Sequence, residues 1–302
     1  CMSVQIPFYR DYSYEYGVLE TVAPGIRRLV ARNPGPYTFH GTGTYIIGEG
    51  EVAVIDPGPA LPAHVDALLT GLSGETITHL LVTHTHLDHS PAAAMVKAHT
   101  DAKTYGFGPH GEGKLLRGES VEEGGDFEFD PDVRVGHGDI INGAGWSFEA
   151  VHTPGHTSNH LCFQYQQQRT LFSGDHVMGW STTVISPPDG DMSDYMSSLV
   201  LLLERDDAVY WPTHGPCITE PRPYVQAFIA HREERIGQIL DCVCQGVHTI
   251  GEMVLRMYPD LDPALHPAAA RQVFAAVLGL LESEQLRSTG EASIDAHYEL
   301  EP

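Results

Sequence analysis

Positive charge is scarce in this sequence. Its 302 residues include 17 lysines plus arginines against 40 aspartates plus glutamates, for a formal net charge of -23. A polyanion must be met by clustered cations, so this balance argues against nucleic acid as a general partner and against anionic membrane surfaces. Cysteine is also rare: Cys1, Cys162, Cys217, Cys242 and Cys244 are an odd set without framework spacing. That excludes a disulfide scaffold and reads as a reduced, cytoplasmic protein. Cys242 and Cys244, two apart in a predicted helix, point to different sides and read as packing residues rather than a zinc knuckle. No export segment stands at the start, where charged and aromatic residues alternate from Phe8 to Tyr16, and no apolar run reaches membrane-spanning length.

Glycine and proline, at 31 and 21 residues, point instead to a turn-rich α/β chain with one large domain and a small appendage. Residues 1 to 20 read as an aromatic arm laid over the fold or over a partner. Short strands are predicted at 26–30, 44–47 and 51–55, the last closed by Asp56-Pro57-Gly58, and a helix over 62–72. The apolar run 77–82 reads as a buried strand, followed by a polar segment and a helix over 91–98. Residues 106–125 read as a surface excursion. Strand character returns at 145–151, 161–165, 170–172 and 208–211, and Asp191 is placed to cap a helix ending near Leu203. Past Pro221, helices are predicted over 222–244, 249–257 and 268–284, then two short strands around Gly290, an order similar to a winged helix. The division is therefore 1–221 for a catalytic domain with its arm and 222–302 for the helical domain.

Four of the predicted strands end in histidine or aspartate: at His84 to His89, at His156, at Asp175 and at His214. Strands of one sheet bring such ends together across long sequence separations. The densest piece is His84-Thr85-His86-Leu87-Asp88-His89. Alternate residues face one way, so His84 and His86 can meet one cation while Asp88 and His89 turn to a second. Imidazole and carboxylate suit zinc, iron and manganese over thiolate-selective ions. Two such ions about 3.5–4 Å apart can share a hydroxide and a carboxylate. A lone histidine such as His40, His64 or His297 reads first as structural.

The segments Thr83 to His89, Thr153-Pro154-Gly155-His156-Thr157, Ser173-Gly174-Asp175 and Thr213-His214-Gly215 resemble, in order and spacing, the motifs of the metallo-β-lactamase-like superfamily. The resemblance covers roughly residues 25 to 220. It implies an αββα sandwich and a dinuclear hydrolytic centre: one metal on His84, His86 and His156, a second on Asp88, His89 and His214, with Asp175 between them. These seven residues are then the catalytic set, and two divalent ions, Zn2+ first with Fe or Mn as alternatives, are the cofactors. Asn33-Pro34-Gly35-Pro36, Gly41-Thr42-Gly43-Thr44-Tyr45 and Pro187 to Met192 resemble the β-lactamase-like protein 2 subgroup, with Gly43 where that subgroup has asparagine.

The activity this implies is attack of a hydroxide shared by the metals on the carbonyl of a thioester, ester or lactone, a small-molecule acyl substrate. Single-stranded RNA cleavage is the alternative; β-lactam hydrolysis, mononuclear-iron sulfur dioxygenation and DNA-binding regulation stand lower. Tyr37, Phe39 and His40 before a core strand, and Trp180 after the Asp175 motif, are expected to line the cleft, with Asn159 and His160 reaching it from beside His156. Thr83, Thr157, Ser173 and Thr213 are placed to orient the ligands. The helical tail is assigned to packing or to a homodimer contact.

Overall fold

The computed structural model describes residues 5–112, 114 and 124–301. The first four strands pair in antiparallel succession, β1 (Glu20–Ala23) with β2 (Ile26–Val30) and β3 (Gly43–Ile47) with β4 (Glu51–Ile55) across tight turns, and β2 with β3 across the longer segment 31–42. Helix α1 (Pro62–Gly71) then carries the chain back, so β5 (Thr76–Leu81) pairs parallel with β4. Helix α2 (Ala92–Lys97) does the same for β6 (Lys103–Gly106), and β7 (Val133–Arg134) forms the edge of this seven-stranded sheet. The second sheet is a meander of β8 (Ile140–Gly143), β9 (Trp146–His152), β10 (Leu161–Tyr165) and β11 (Thr170–Gly174). Helix α3 (Met192–Glu204) leads to β12 (Val209–Pro212), which lies parallel to β11. Asp191 caps α3 as expected, accepting from Asp194 N at 3.0 Å.

The period of two along each strand sorts side chains into layers. In β4, Ala53 and Ile55 face the second sheet, while Val52 and Val54 face α1 and α2. In β9, Trp146, Phe148 and Ala150 point inward to meet Tyr45 and Ile47, and Val151 points outward to the helices. Helices therefore cover both outer faces, giving the expected αββα sandwich. After β12 come α4 (Pro221–Cys244), α5 (Ile250–Met257), α6 (His266–Glu282) and a hairpin of β13 (Leu286–Ser288) and β14 (Tyr298–Leu300). These helices share one apolar core with α3 and the outer face of the second sheet, so the core continues across residue 222.

Two readings change, and one of two alternatives is taken. Residues 263–282 are long and apolar enough, by length and composition alone, to cross a membrane, contrary to the expectation that no run is. Here α6 packs on α3, α4 and α5, and Val273, Val277 and Leu280 are buried in the shared core. Of the excursion at 106–125, positions 113 and 115–123 lie outside the described residues; the described part is not merely surface, since His110 and Gly125 are buried. Of its two expected places the aromatic arm takes the one over its own fold: Tyr9 N donates to Gly179 O at 2.8 Å, and the Tyr9 ring stacks on Tyr224 at 6.0 Å.

Candidate metal centre

Parallel pairing fixes where the polar residues meet. Strands β4 and β5 run the same way, as do β9, β11 and β12 in the second sheet, and the ends of all five converge at one edge of the sandwich. Backbone bonds stitch the two sheets there: Leu161 N donates to Thr83 O at 2.7 Å and Gly43 N to Thr213 O at 2.8 Å. Gly43 permits this approach, because a Cβ would stand 3.1 Å from Thr213 O. Gly174, at a φ of +52°, turns the chain so that Asp175 enters the site, and a Cβ there would lie 2.5 Å from His160 Nε2.

All seven residues singled out from the strand ends come together. His86 Nδ1 lies 2.9 Å from His84 Nε2 and 3.0 Å from His156 Nε2. Asp88 Oδ2 lies 3.4 Å from His89 Nε2 and 3.2 Å from His214 Nε2. Asp175 Oδ2 sits between the two groups, 3.4 Å from His214 Nε2, 3.6 Å from His89 Nε2 and 3.8 Å from His156 Nε2. Within each of three trios, His84/His86/His156, His84/His89/Asp175 and Asp88/His89/His214, the candidate donor atoms lie within 4.8 Å of one another.

The tautomers follow from the partners on the far side of each ring. His156 Nδ1 donates to Val184 O at 2.6 Å, and His214 Nδ1 to Gly41 O at 3.3 Å. His89 Nδ1 donates to Asp56 Oδ2 at 3.0 Å. Thr83 Oγ1 spends its hydrogen on Asp56 Oδ2 at 2.8 Å, so it accepts from His84 Nδ1 at 3.0 Å. Each of these four rings thus turns its Nε2 to the centre. His89 Nε2 and Asp175 Oδ1 are buried with no hydrogen-bond partner among the described residues. Lone pairs aimed at one another, with carboxylate charge between them, form a donor set that fits two divalent cations.

The proton balance divides the set. Burial, reinforced by neighbouring imidazoles, holds His84 and His86 well below the usual histidine range, in the neutral form that can donate a lone pair. Burial opposes charge on Asp88 and Asp175 too, yet His89 and His214 hold both well below the usual carboxylate range. Burial would lower His214, but Asp175 and Asp88 outweigh it and push it up to about 10; the same carboxylates with Asp56 raise His89, so these two rings hold a proton on Nε2 that a bound cation would displace. The Asp88 side chain is 24% exposed, against 9% or less for His89, His156, Asp175 and His214, which puts an accessible side of the centre next to it.

Asp56 is the residue the sequence reading passed over. Its buried carboxylate accepts from Thr83 N at 2.8 Å, Thr83 Oγ1 at 2.8 Å, Thr213 Oγ1 at 3.0 Å and His89 Nδ1, tying β4 to the ligand segments after β5 and β12. The only sequence signal was an aspartate ending a strand parallel to the one that leads to His84. Among the proposed orienting hydroxyls, Thr83 and Thr213 meet this hub. Thr157 instead bonds Asn159, and Ser173 donates to Val177 O within its own turn.

The expected cleft residues divide. His160 is fully buried behind the centre, with Nδ1 at 2.9 Å from Thr153 Oγ1 and Asp175 N donating to its Nε2, so placing it on the cleft wall is corrected to a supporting position. Asn159 likewise donates to Thr85 Oγ1, Gly108 O and Pro109 O rather than reaching the cleft. Trp180 stacks on Phe39 at 4.6 Å and lies against Gly215, next in sequence to His214. His40 stacks on Tyr14 at 4.9 Å, and Tyr37 is 57% exposed on a cavity formed with α4, α5 and α6.

Comparison with known proteins fits this geometry. The Metallo-beta-lactamase superfamily profile matches residues 37–214, and the Beta-lactamase associated winged helix domain profile matches residues 249–293. A Beta-lactamase-like protein 2 homolog of Caenorhabditis elegans is 30% identical over 261 residues, covering 84% of this chain and 83% of its own. An atrochrysone carboxyl ACP thioesterase of Cryptosporiopsis sp. is 29% identical over 231 residues, covering 75% and 65%. The crystal structure of a beta-lactamase domain protein from Burkholderia ambifaria superimposes with a TM-score of 0.78 at 19% identity, covering 96% of this chain and 95% of that one. With the matched profile spanning more than half of its length, the chain belongs to the metallo-beta-lactamase superfamily, as a metal-dependent hydrolase with a winged-helix C-terminal domain.

Proposed function

We propose that the chain hydrolyses acyl thioesters, with esters and lactones as chemically related substrates. The observation that carries this reading is the pair of ligand groups meeting at Asp175, open beside Asp88 and flanked by a largely apolar cavity. The relative named as an ACP thioesterase supports the thioester as the first substrate to test. A net charge of -23 weighs against RNA as the substrate.

In this reading His84, His86 and His156 would hold one cation, Asp88, His89 and His214 the other, and Asp175 would serve both; Zn2+ is the proposed metal, with Fe and Mn compatible with the same donors. When bound, such ions would polarise the carbonyl and bring the pKa of a water near neutrality. The protein's part is to keep the donors in place. Asp56 holds His89 in the tautomer that faces the centre, Val184 O does so for His156, and Thr42 Oγ1 donates to Asp88 Oδ2 at 2.9 Å to fix that carboxylate. Asp88, ionised and the more open carboxylate, orients the attacking water toward the carbonyl.

The test is a matched panel of acyl thioesters, lactones, β-lactams and single-stranded RNA, run with metal-replete protein, chelated protein and His86→Ala. Chelator-sensitive thioester turnover that disappears in His86→Ala is expected. RNA cleavage with the same sensitivities and no thioester turnover would reverse the assignment.

A further inference from the structure

Between the loop at 181–184, Tyr37 and the helices α4, α5 and α6 lies a cavity of about 370 Å³. That volume is within the roughly 300–1,000 Å³ of small-ligand sites. Its wall is mostly apolar, with Ile236, Met257 and Leu261 among the lining residues. Three arginines, Arg232, Arg235 and Arg271, also line it, and among the described residues no carboxylate does. In a chain with 40 acidic residues and 17 lysines plus arginines, that local composition is inverted.

The arginines are not satisfied by ion pairs among the described residues. Arg232 is 6% exposed; it donates to Thr183 O and to Gln272 Oε1, its guanidinium lies 5.2 Å from the Tyr195 ring centroid, and its Nε has no partner. Arg235 lies over Tyr258 at 4.6 Å and donates to Gln238 Oε1. A buried cation without a counter-charge is costly in a low-dielectric surround. Burial and the charges of Arg232 and Arg235 also push His231, on the same wall, down to about 4. The cavity adjoins the metal centre through its wall: Val184 O accepts from His156 Nδ1, and Thr183 Oγ1 donates to Asp175 O.

We propose that this cavity receives the acyl portion of the substrate and that its arginines hold a carboxylate carried by that portion. The assignment rests on the thioester-hydrolase reading of the adjoining centre. An aliphatic wall suits hydrocarbon better than the amide-rich arm of a thiol carrier, and a guanidinium cluster suits a carboxylate bound in bidentate fashion.

Equilibrium binding to the purified protein tests the cavity apart from catalysis. Octanoate, 1-octanol and pantetheine 4′-phosphate are titrated by calorimetry into the unmodified protein, Arg235→Gln and Arg271→Gln. Octanoate is expected to bind at least tenfold more tightly than octanol, and each substitution to remove most of that margin while leaving octanol affinity unchanged. Equal affinity for octanoate and octanol overturns the proposal. So does octanoate binding that neither substitution weakens, since the anion would then sit elsewhere. Arginine-dependent binding that favours pantetheine 4′-phosphate assigns the cavity to the carrier arm and overturns the acyl occupant. Turnover of a short uncharged acyl thioester by the unmodified protein is measured alongside. Its absence counts against the hydrolase reading, whereas arginine-dependent octanoate binding bears on the cavity alone.

Discussion

Replacing Asp56 by asparagine separates geometry from charge at the centre of the ligand scaffold. Residue 56 has a φ of 48°, a conformation asparagine tolerates, so the backbone should hold. The carboxylate accepts four hydrogen bonds, two from Thr83 and one each from Thr213 and His89. An amide cannot reproduce them. In one orientation its NH2 group faces Thr83 N–H, and in the other it faces His89 Nδ1–H. Either way a buried donor is left unpaired, at a cost of about 1–3 kcal/mol. The second orientation also favours moving the His89 proton to Nε2, which blocks that lone pair. Loss of a supporting partner of this kind lowers metal affinity by roughly 10–100-fold. Competition against a chromophoric chelator gives the affinity, and urea unfolding of metal-depleted protein gives the stability. Unchanged values of both in Asp56→Asn would refute the hub role assigned to this carboxylate.

Other outcomes follow from the same structure. Asp175→Ala should lower metal content and hydrolysis together, by more than the roughly 10–100-fold expected for a supporting residue; an unchanged rate with full metal content would contradict its position between the two ligand groups. Phe163→Ala empties fully buried space between the sheets and should cost about 3–5 kcal/mol in urea unfolding, with a much smaller loss contradicting the packing described. His64 is buried, and burial lowers it to about 4, so between about 6.5 and 4 the unfolded chain takes up a proton there that the folded chain refuses. Stability at this position is therefore present above that window and lost as pH falls through it. His64→Gln should reduce the stability difference between pH 7 and pH 4.5 by about 2–3 kcal/mol, and an identical pH dependence in the variant would count against the burial of a neutral imidazole.

The ligand set was legible because each part follows a short apolar strand and uses residue types with few other reasons to cluster. The run 77–82 was apolar enough to read as a strand, found at Thr76–Leu81, so the density of His84 to His89 after it carried its own meaning. The helices past residue 221 were legible from their periodicity, and Asp191 from its place before α3. Asp56 was not, because an Asp-Pro-Gly run reads as a turn; only the pairing of β4 with β5 and the approach of Thr213 show that four donors converge on it. His160 was misplaced for the converse reason. Four positions from His156 says nothing of direction, and the bend of the loop sends it under Gly174 instead of into the cleft. The two-residue strand Val133–Arg134 is too short to show an alternation. The arginine-lined cavity draws on residues from Tyr37 to Arg271, a juxtaposition that only the packing of α4, α5 and α6 creates.

Elemental analysis of the purified protein after exhaustive dialysis addresses the two-cation centre most directly. Two equivalents of a divalent metal per chain, falling below one in both His86→Ala and Asp88→Ala, are expected. A single tightly held ion that survives the loss of Asp88 would contradict the dinuclear assignment.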